Sequence, residues 1–321
     1  MLCEELQTNG FQGFDADRIT QEYRKAVISQ LKVLIAKGFL AERKWDGTRV
    51  LAINDDGTVT LQNREGRIYT VRLPEIVKAM RKIRGLHNTV SKWTLDFEAV
   101  YLNPETGEEE FTPAQRRCAT QYPDFYLQQQ FPLTAQVFDV LEAQGVNVEN
   151  EPYWKRKEML QQLLDGVDGD TVRYVPYETD LVAAWNEAVA HNREGLIIKQ
   201  KESGYEHVRS FSWLKVKNWQ WRLSDAIGYT AGKNARTPFF GALVLAYEGK
   251  YCGKVGSGFN EWELRKFKDL FKDASTQSKV YDAAVEEPYT PARLKTKVLV
   301  KYYQITEQSS VFRFPIFERS T

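Results

Sequence analysis

Residues 39–62 read FLAERKWDGTRVLAINDDGTVTLQ, and across this stretch the chain changes its periodicity. Before it, residues 15 to 38 set Ile19, Tyr23, Val27, Leu31, Leu34 and Ile35 at helical spacing, with Asp15 or Asp17 as cap and Gly38 as stop. Within it, RVLAIN and TVTLQN alternate as strands do. Asp55-Asp56-Gly57 between them predicts a hairpin, because Asp-Gly accepts the positive φ that a tight turn demands. Lys44-Trp45-Asp46-Gly47-Thr48-Arg49 therefore lies at a strand end directly before a hairpin. Six residues gather a potential nucleophile, a carboxylate, a flexible glycine and a guanidinium.

Working outward, the spacing predicts helices at 74–83, 152–165 and 180–191, and strands at 93–101, 135–141, 195–199 and 213–217. The character changes at residues 218–222, which read as a hinge. Beyond it the short strand candidates LSDAIGYT, GALVLAYE, KYCGKVG and KVLVKYYQIT surround one helix, whose Asn260 and Glu263 have the spacing of a capping box. A unit of that kind predicts a small Greek-key barrel of the oligonucleotide-binding type, the OB-fold. The expected fold class is α+β: a domain of antiparallel sheets with flanking helices over 1–220, then a β-barrel domain over 221–321.

The chain has 321 residues, 42% hydrophobic and 27% charged, with a formal net charge of +1. No apolar run approaches the roughly 18 residues of a membrane span, so a soluble protein is expected. MLCEELQTNGFQGFDADR lacks the basic start and apolar core of a secretory signal, which points to a cytoplasmic protein. Cys3, Cys118 and Cys252 are scattered without metal spacing, so neither a disulfide frame nor structural zinc is expected. The charge balance gives no global pull on nucleic acid; binding of that kind needs local clusters of Lys and Arg.

KWDGTR resembles the nucleotidyl-lysine motif of the covalent nucleotidyltransferases, which comprise DNA ligases, RNA ligases and mRNA capping enzymes. Further segments resemble the family's other motifs in the same order: Arg64-Glu65-Gly66, Leu95-Asp96-Phe97-Glu98, Phe138-Asp139, Glu194-Gly195-Leu196-Ile197-Ile198-Lys199 and Trp213-Leu214-Lys215-Val216-Lys217. Tyr302 to Arg319 is similar to the closing ligase motif around Arg-x-Pro-x-Phe. The third motif commonly reads Asp-Gly-Glu, and here Phe97 stands in the glycine place.

The resemblance implies a nucleotidyltransferase (adenylation) domain followed by the barrel, and an ATP-dependent DNA ligase that seals 5′-phosphate/3′-hydroxyl nicks. Lys44 would take AMP from ATP and pass it to the 5′-phosphate. It implies catalytic roles for Lys44, Asp46, Glu98, Glu194, Lys215 and Lys217. Nucleotide contacts fall to the backbone of Glu42 and Arg43, to Phe138 stacking on adenine, to Arg49 and Arg64 at ribose or phosphate, to Glu98 at ribose, and to Lys199, Lys215, Lys217 and Arg313. Glu98 and Glu194 would hold Mg²⁺, or Mn²⁺ in its place, as hard oxygen donors. Lys215 and Lys217 share one strand face by the period of two.

A lysine attacks phosphorus only when neutral, and Lys215, Lys217, Arg49 and partial burial are expected to lower the pKa of Lys44. Gln115-Arg116-Arg117 reads as an exposed basic turn, or else as a contact to DNA phosphate. Lys233, Arg236, Lys250 and Lys254 are the barrel's candidate DNA-gripping groups. The expected partner is nicked duplex DNA, bound by a monomer of bacterial or phage origin. The alternatives are an RNA ligase, a capping guanylyltransferase, or a non-catalytic nucleic-acid-binding module.

Overall fold

The chain runs β1 (Leu2–Glu5), α1 (Ala16–Ala36), β2 (Phe39–Arg43), β3 (Thr48–Asp55), β4 (Thr58–Gln62), α2 (Pro74–Met80), β5 (Trp93–Tyr101), α3 (Phe111–Ala119), α4 (Phe125–Gln130), β6 (Leu133–Ala143) and β7 (Val146–Asn147). Then come α5 (Tyr153–Leu163), β8 (Val172–Tyr174), α6 (Leu181–Ala190), β9 (Gly195–Gln200), β10 (Arg209–Lys217), β11 (Gln220–Ala231), β12 (Phe240–Tyr247) and β13 (Lys250–Val255). The last elements are α7 (Glu261–Ala274), β14 (Val280–Tyr281), β15 (Pro288–Pro291), β16 (Lys297–Tyr302), β17 (Gln304–Ile305), β18 (Phe312–Arg313) and β19 (Ile316–Ser320). This computed structural model describes all residues except 1, 9, 84–91, 168, 275–279, 282–284, 286, 293–295 and 307–309, so part of the closing motif lies outside the described residues. Contacts divide the chain into two units, Met1–Leu6 with Gln30–Val216 and Gln7–Ser29 with Lys217–Thr321. Among the described residues no helix is long and apolar enough to cross a membrane.

The first unit holds two sheets. One runs β4-β3-β5-β6-β7 with β8 parallel to β6; the other runs β1-β10-β9-β2. The β3–β4 hairpin closes through Asp56 and Gly57, at φ 47 and 97, the pair of left-handed residues that a two-residue hairpin turn of the favoured hand requires. One face of the larger sheet buries Val50, Leu61, Leu95, Phe97 and Val137 against Leu73, Ile76 and Met80 around α2 and Leu160 of α5. Phe97, in the family's glycine place, thus belongs to the core. Its neighbours Asp96 and Glu98 face the other way, since strand side chains alternate.

Helices α3 and α4 were not expected, and α3 corrects one reading. Gln115-Arg116-Arg117 is helical, and Arg117 is fully buried, donating to Phe131 O at 3.1 Å, Arg72 O at 3.1 Å and Glu75 Oε1 at 2.5 Å. Arg117 therefore braces loops from within and is not an exposed turn residue.

In the second unit β11 pairs with β12 on one edge and with β16 and β15 on the other; β12 pairs with β13 and β16 with β19. A parallel bridge between Ser257 and Ile316, with Phe317 N donating to Ser257 O at 2.9 Å, joins the end of β13 to β19. The five strands therefore close in the order β11-β12-β13-β19-β16, the predicted barrel of the oligonucleotide-binding type. Phe240, Leu243, Val255, Phe267, Val298 and Phe317 fill it. The capping box forms as the sequence implies: Asn260 N donates to Glu263 Oε2 at 2.8 Å and Glu263 N to Asn260 Oδ1 at 2.9 Å. Residues 7–29 join this unit because Phe11, Tyr23 and Trp221 pack ring to ring and Tyr23 OH donates to Lys217 O at 2.6 Å.

Gly258 makes the closure possible. Its φ is +92, and a Cβ there would meet Phe317 O at 2.2 Å. Gly258→Ala is expected to destabilise the folded chain by about 2–4 kcal/mol through strain and overpacking, read as a lowered midpoint in urea unfolding.

Candidate active site

The register of three strand pairs assembles the site. Between β2 and β9, Arg43 lies opposite Leu196, and the pairing runs on as Lys44 N donates to Gly195 O at 3.0 Å, bringing Lys44 beside Glu194. Between β3 and β5, Arg49 lies opposite Glu98 and Leu51 opposite Asp96, so all three polar side chains share one face. Gly47 is fixed by closeness: a Cβ there would sit 2.2 Å from Ala99 O. Between β5 and β6, Asp96 pairs with Asp139 and Phe97 with Val137, which leaves Phe138 as an extra residue. This bulge re-aims the Phe138 ring, as bulges do. The half-buried ring packs with Leu141, Tyr205 and Trp213, and has Lys199 Nζ at 5.0 Å and Arg49 at 5.5 Å from its centroid.

Lys44 Nζ is 2.6 Å from Glu194 Oε2. Burial works against its charge, but Glu194, Glu98 and Asp46 together outweigh burial and hold the ammonium above its ordinary range. This corrects the expectation that nearby cations and burial lower it: the closest charges are carboxylates. The Glu98 carboxyl is pushed up to about 8, with burial the largest cause, Lys44 acting against it and Glu194 with it. Glu98 and Glu194 offer the hard oxygen donors that a divalent ion prefers. Asp46 is buried beside them.

Below this layer lies a set of buried ions that the sequence did not reveal. Glu42 Oε1 accepts from Tyr153 OH at 2.5 Å and Lys157 Nζ at 2.9 Å, and Glu42 Oε2 is 2.6 Å from Lys199 Nζ. Asp139 is bound by Arg156 through Nε at 2.8 Å and a second guanidinium nitrogen at 3.1 Å. The carbonyl of the bulged Phe138 faces Lys157 Nζ at 3.4 Å and Lys199 Nζ at 3.5 Å. Asp96 is bridged by Arg49, at 3.0 and 2.5 Å, and by Tyr205 OH at 2.7 Å. Tyr153, Arg156 and Lys157 recur on the inner face of α5, and that run of polar groups within a helical pattern was the available signal.

The other residues expected at the nucleotide have these side-chain partners in the chain. The Lys199 ammonium is buried against Glu42 and 3.9 Å above the Trp213 ring. Arg43 packs 3.8 Å over Trp45 and pairs with Glu108 and Glu109. Arg64 sits on an exposed turn, 2.7 Å from Glu65. Lys215 lies 3.8 Å from Glu5. Lys217 and Arg313 belong to the second unit, where Lys217 lies 5.3 Å from the Trp219 ring and Arg313 donates to Gln304 Oε1 at 3.0 Å. Of the barrel cations, Lys254 is paired with Glu287 at 2.7 Å and Arg236 donates to Gly256 O at 3.2 Å, while Lys233 and Lys250 are exposed.

The family described as ATP dependent DNA ligase domain matches residues 19–217. The multifunctional non-homologous end joining protein LigD of Mycolicibacterium smegmatis is 33% identical over 287 residues, 86% of this chain. Those residues cover 34% of that relative, so the chain spans about a third of its length. The ligase domain of M. tuberculosis LigD has TM-score 0.50 and 24% identity, covering 88% of this chain and 89% of that one. A structure from a study of minimal Lig E DNA ligases has TM-score 0.61 and 18% identity, covering 89% of this chain and 93% of that one. These two likenesses concern the fold: a nucleotidyltransferase domain joined to an OB-fold barrel.

Burial alone would push the Asp139 carboxyl up, but Arg156 above all, then Lys199 and Lys157, pull it below the usual carboxylate range. A depressed folded-state pKa contributes stability that is present above the unfolded value, roughly 3.9, and is lost as pH falls through the folded one. Asp139→Asn is expected to cost about 3–5 kcal/mol at neutral pH, because Arg156 would stay buried without its carboxylate. In urea unfolding the gap between wild type and variant should narrow below about pH 4.

Proposed function

The chain belongs to the ATP-dependent DNA ligase domain family, and on that footing we propose that it is an ATP-dependent DNA ligase that seals 5′-phosphate/3′-hydroxyl nicks in duplex DNA. The observation that carries the reading is Lys44 Nζ held 2.6 Å from Glu194 Oε2, with Glu98 and Asp46 acting on the same amine. Lys44 attacks the α-phosphorus of ATP, a phosphoramide bond to AMP forms, and pyrophosphate leaves. AMP then passes to the DNA 5′-phosphate, and attack by the 3′-hydroxyl closes the strand as AMP departs.

The amine must lose a proton before it attacks, and Glu194 Oε2 is an acceptor within hydrogen-bond reach. Glu98 and Glu194 would hold Mg²⁺, or Mn²⁺ in its place; when bound, the ion supplies positive charge that neutralises the carboxylates and the phosphate oxygens. Phe138 offers its ring to adenine, Arg49 is oriented by Asp96 and Tyr205, and Lys215 adds positive charge for phosphate. The family resemblance gives Lys217 and Arg313 phosphate contacts as well. We assign the adenylation domain to residues 1–220 and the DNA-clamping barrel to 221–321, while contacts group residues 7–29 and 217–220 with the barrel; the duplex is gripped through its phosphates without reading sequence. The names of the LigD relatives, one of which reads non-homologous end joining DNA repair protein, make DNA repair the setting we favour. The working form is taken to be a cytoplasmic monomer.

Incubation with α-labelled ATP and a divalent ion should label the protein, and chelation should abolish the label. Lys44→Ala should reduce labelling to background while leaving the melting midpoint within a few degrees. A label that persists in the Lys44 variant overturns the assignment, and a label from GTP alone moves the protein to capping chemistry. Nicked DNA, nicked RNA and mixed duplexes, offered in parallel, define the polynucleotide.

A further inference from the structure

Glu108 belongs to the acidic segment ETGEEEF, residues 105–111, which carries no role in the ligation chemistry above. The segment turns back from the end of β5. Asn103 N donates to Glu108 O at 2.9 Å, Gly107 N to Asn103 O at 2.8 Å, and Glu109 forms a bridge with Leu102. The Asn103 side chain fastens the same turn by accepting from Glu105 N at 2.8 Å. Glu108 is thereby set beside the end of β5, the strand that carries Glu98.

From there its carboxylate reaches two arginines. Arg193 approaches it through NH2 at 3.0 Å and Nε at 3.2 Å, and Arg43 pairs with both Glu108 and Glu109. Arg43 immediately precedes Lys44, and Arg193 immediately precedes Glu194. We propose that Glu108 is a positioning residue for the reaction of Lys44: one carboxylate that ties together the residues flanking the Lys44–Glu194 pair and so fixes the geometry of that pair.

Each arm of the clamp is itself held. Arg43 lies 3.8 Å over the ring of Trp45, so both chain neighbours of Lys44 are anchored on one side while alternation turns Lys44 to the other. Arg193 sits at the end of α6, where Asn192 has φ 50, Arg193 N donates to Ala188 O at 2.8 Å and Asn192 N to Val189 O at 3.2 Å. This is the Schellman closure of a helix, and it delivers Arg193 and Glu194 in a fixed direction. The Arg43 and Arg193 side chains are only 17% exposed and Glu109 only 5%, which sets this network apart from solvated surface pairs of little worth. Glu187 lies 2.5 Å from Arg193 and His191 lies 3.7 Å from Glu108.

The inference rests on the proposed adenylation of Lys44, so labelling of the wild type is the first control. At saturating ATP, Glu108→Gln is expected to slow adenylation by about tenfold or more, in line with the cost of misplacing reacting groups, with KM for ATP within about twofold and an unchanged melting midpoint. Arg193→Gln should slow it as well, and the double variant no more than the slower single one. Hydrogen exchange without nucleotide should be faster at the Lys44 amide in Glu108→Gln, as its bond to Gly195 O loosens. A labelled wild type whose Glu108→Gln variant adenylates at the same rate overturns the proposal; so does a fall that tracks a lower melting midpoint, or a double variant whose effects add. An unlabelled wild type counts against the ligase reading itself.

Discussion

Two ammonium groups, Lys157 and Lys199, are buried on one carboxylate, Glu42, and much of the site hangs on that balance. Each buried ion carries a desolvation penalty of several kcal/mol unless its partners are well placed. Glu42 comes from β2, Lys199 from β9 and Lys157 from α5, so the penalty is met only when those three elements dock in one arrangement. The bulge in β6 takes part, since the unpaired carbonyl of Phe138 is turned toward the same two ammonium groups. The ring proposed to stack on adenine and the carbonyl facing the ions are thus two sides of one inserted residue.

Above that base the electrostatics run against a simple count of charges. Lysines and arginines crowd the motifs in sequence, yet the charges that govern Lys44 are Glu194, Glu98 and Asp46. The cations are answered by their own partners: Arg49 by Asp96, Lys199 by Glu42, Arg43 by Glu108 and Glu109. The site at rest has an electronegative bias around its amine, which suits the divalent ion proposed for Glu98 and Glu194.

What could be read in advance was local. The α1 pattern, the Asp-Gly hairpin and the capping box at Asn260 each rest on contacts a few residues apart, and each formed. The barrel was legible because its strands are short and punctuated, though its closure at Ser257 and Ile316 depends on a pairing some sixty residues apart in the chain. Lys44, Glu98 and Glu194 were visible as motif residues, but the direction of the Lys44 shift was not, because it depends on which side chains a register places nearest. Arg117 was misread as solvent-facing because its acceptors, Phe131 O and Arg72 O, lie in loops far away in sequence. Tyr153 and Lys157 left a signal in the polar run of α5, but their partner Glu42 lies more than a hundred residues away.

The parallel pairing of β1 with β10, Leu2 to Arg209 and Cys3 to Ser210, has a consequence for how the protein comes into being. An early strand of the polypeptide must wait for one made about two hundred residues later. At the ribosome's pace of about 5–20 residues per second, that delay is on the order of ten to forty seconds. Throughout it β1 is without its neighbour, and an unpaired strand recruits whatever strand is near. The segment is therefore well placed to bind a nascent-chain chaperone, and it should be among the last parts of its sheet to become resistant to proteolysis during synthesis.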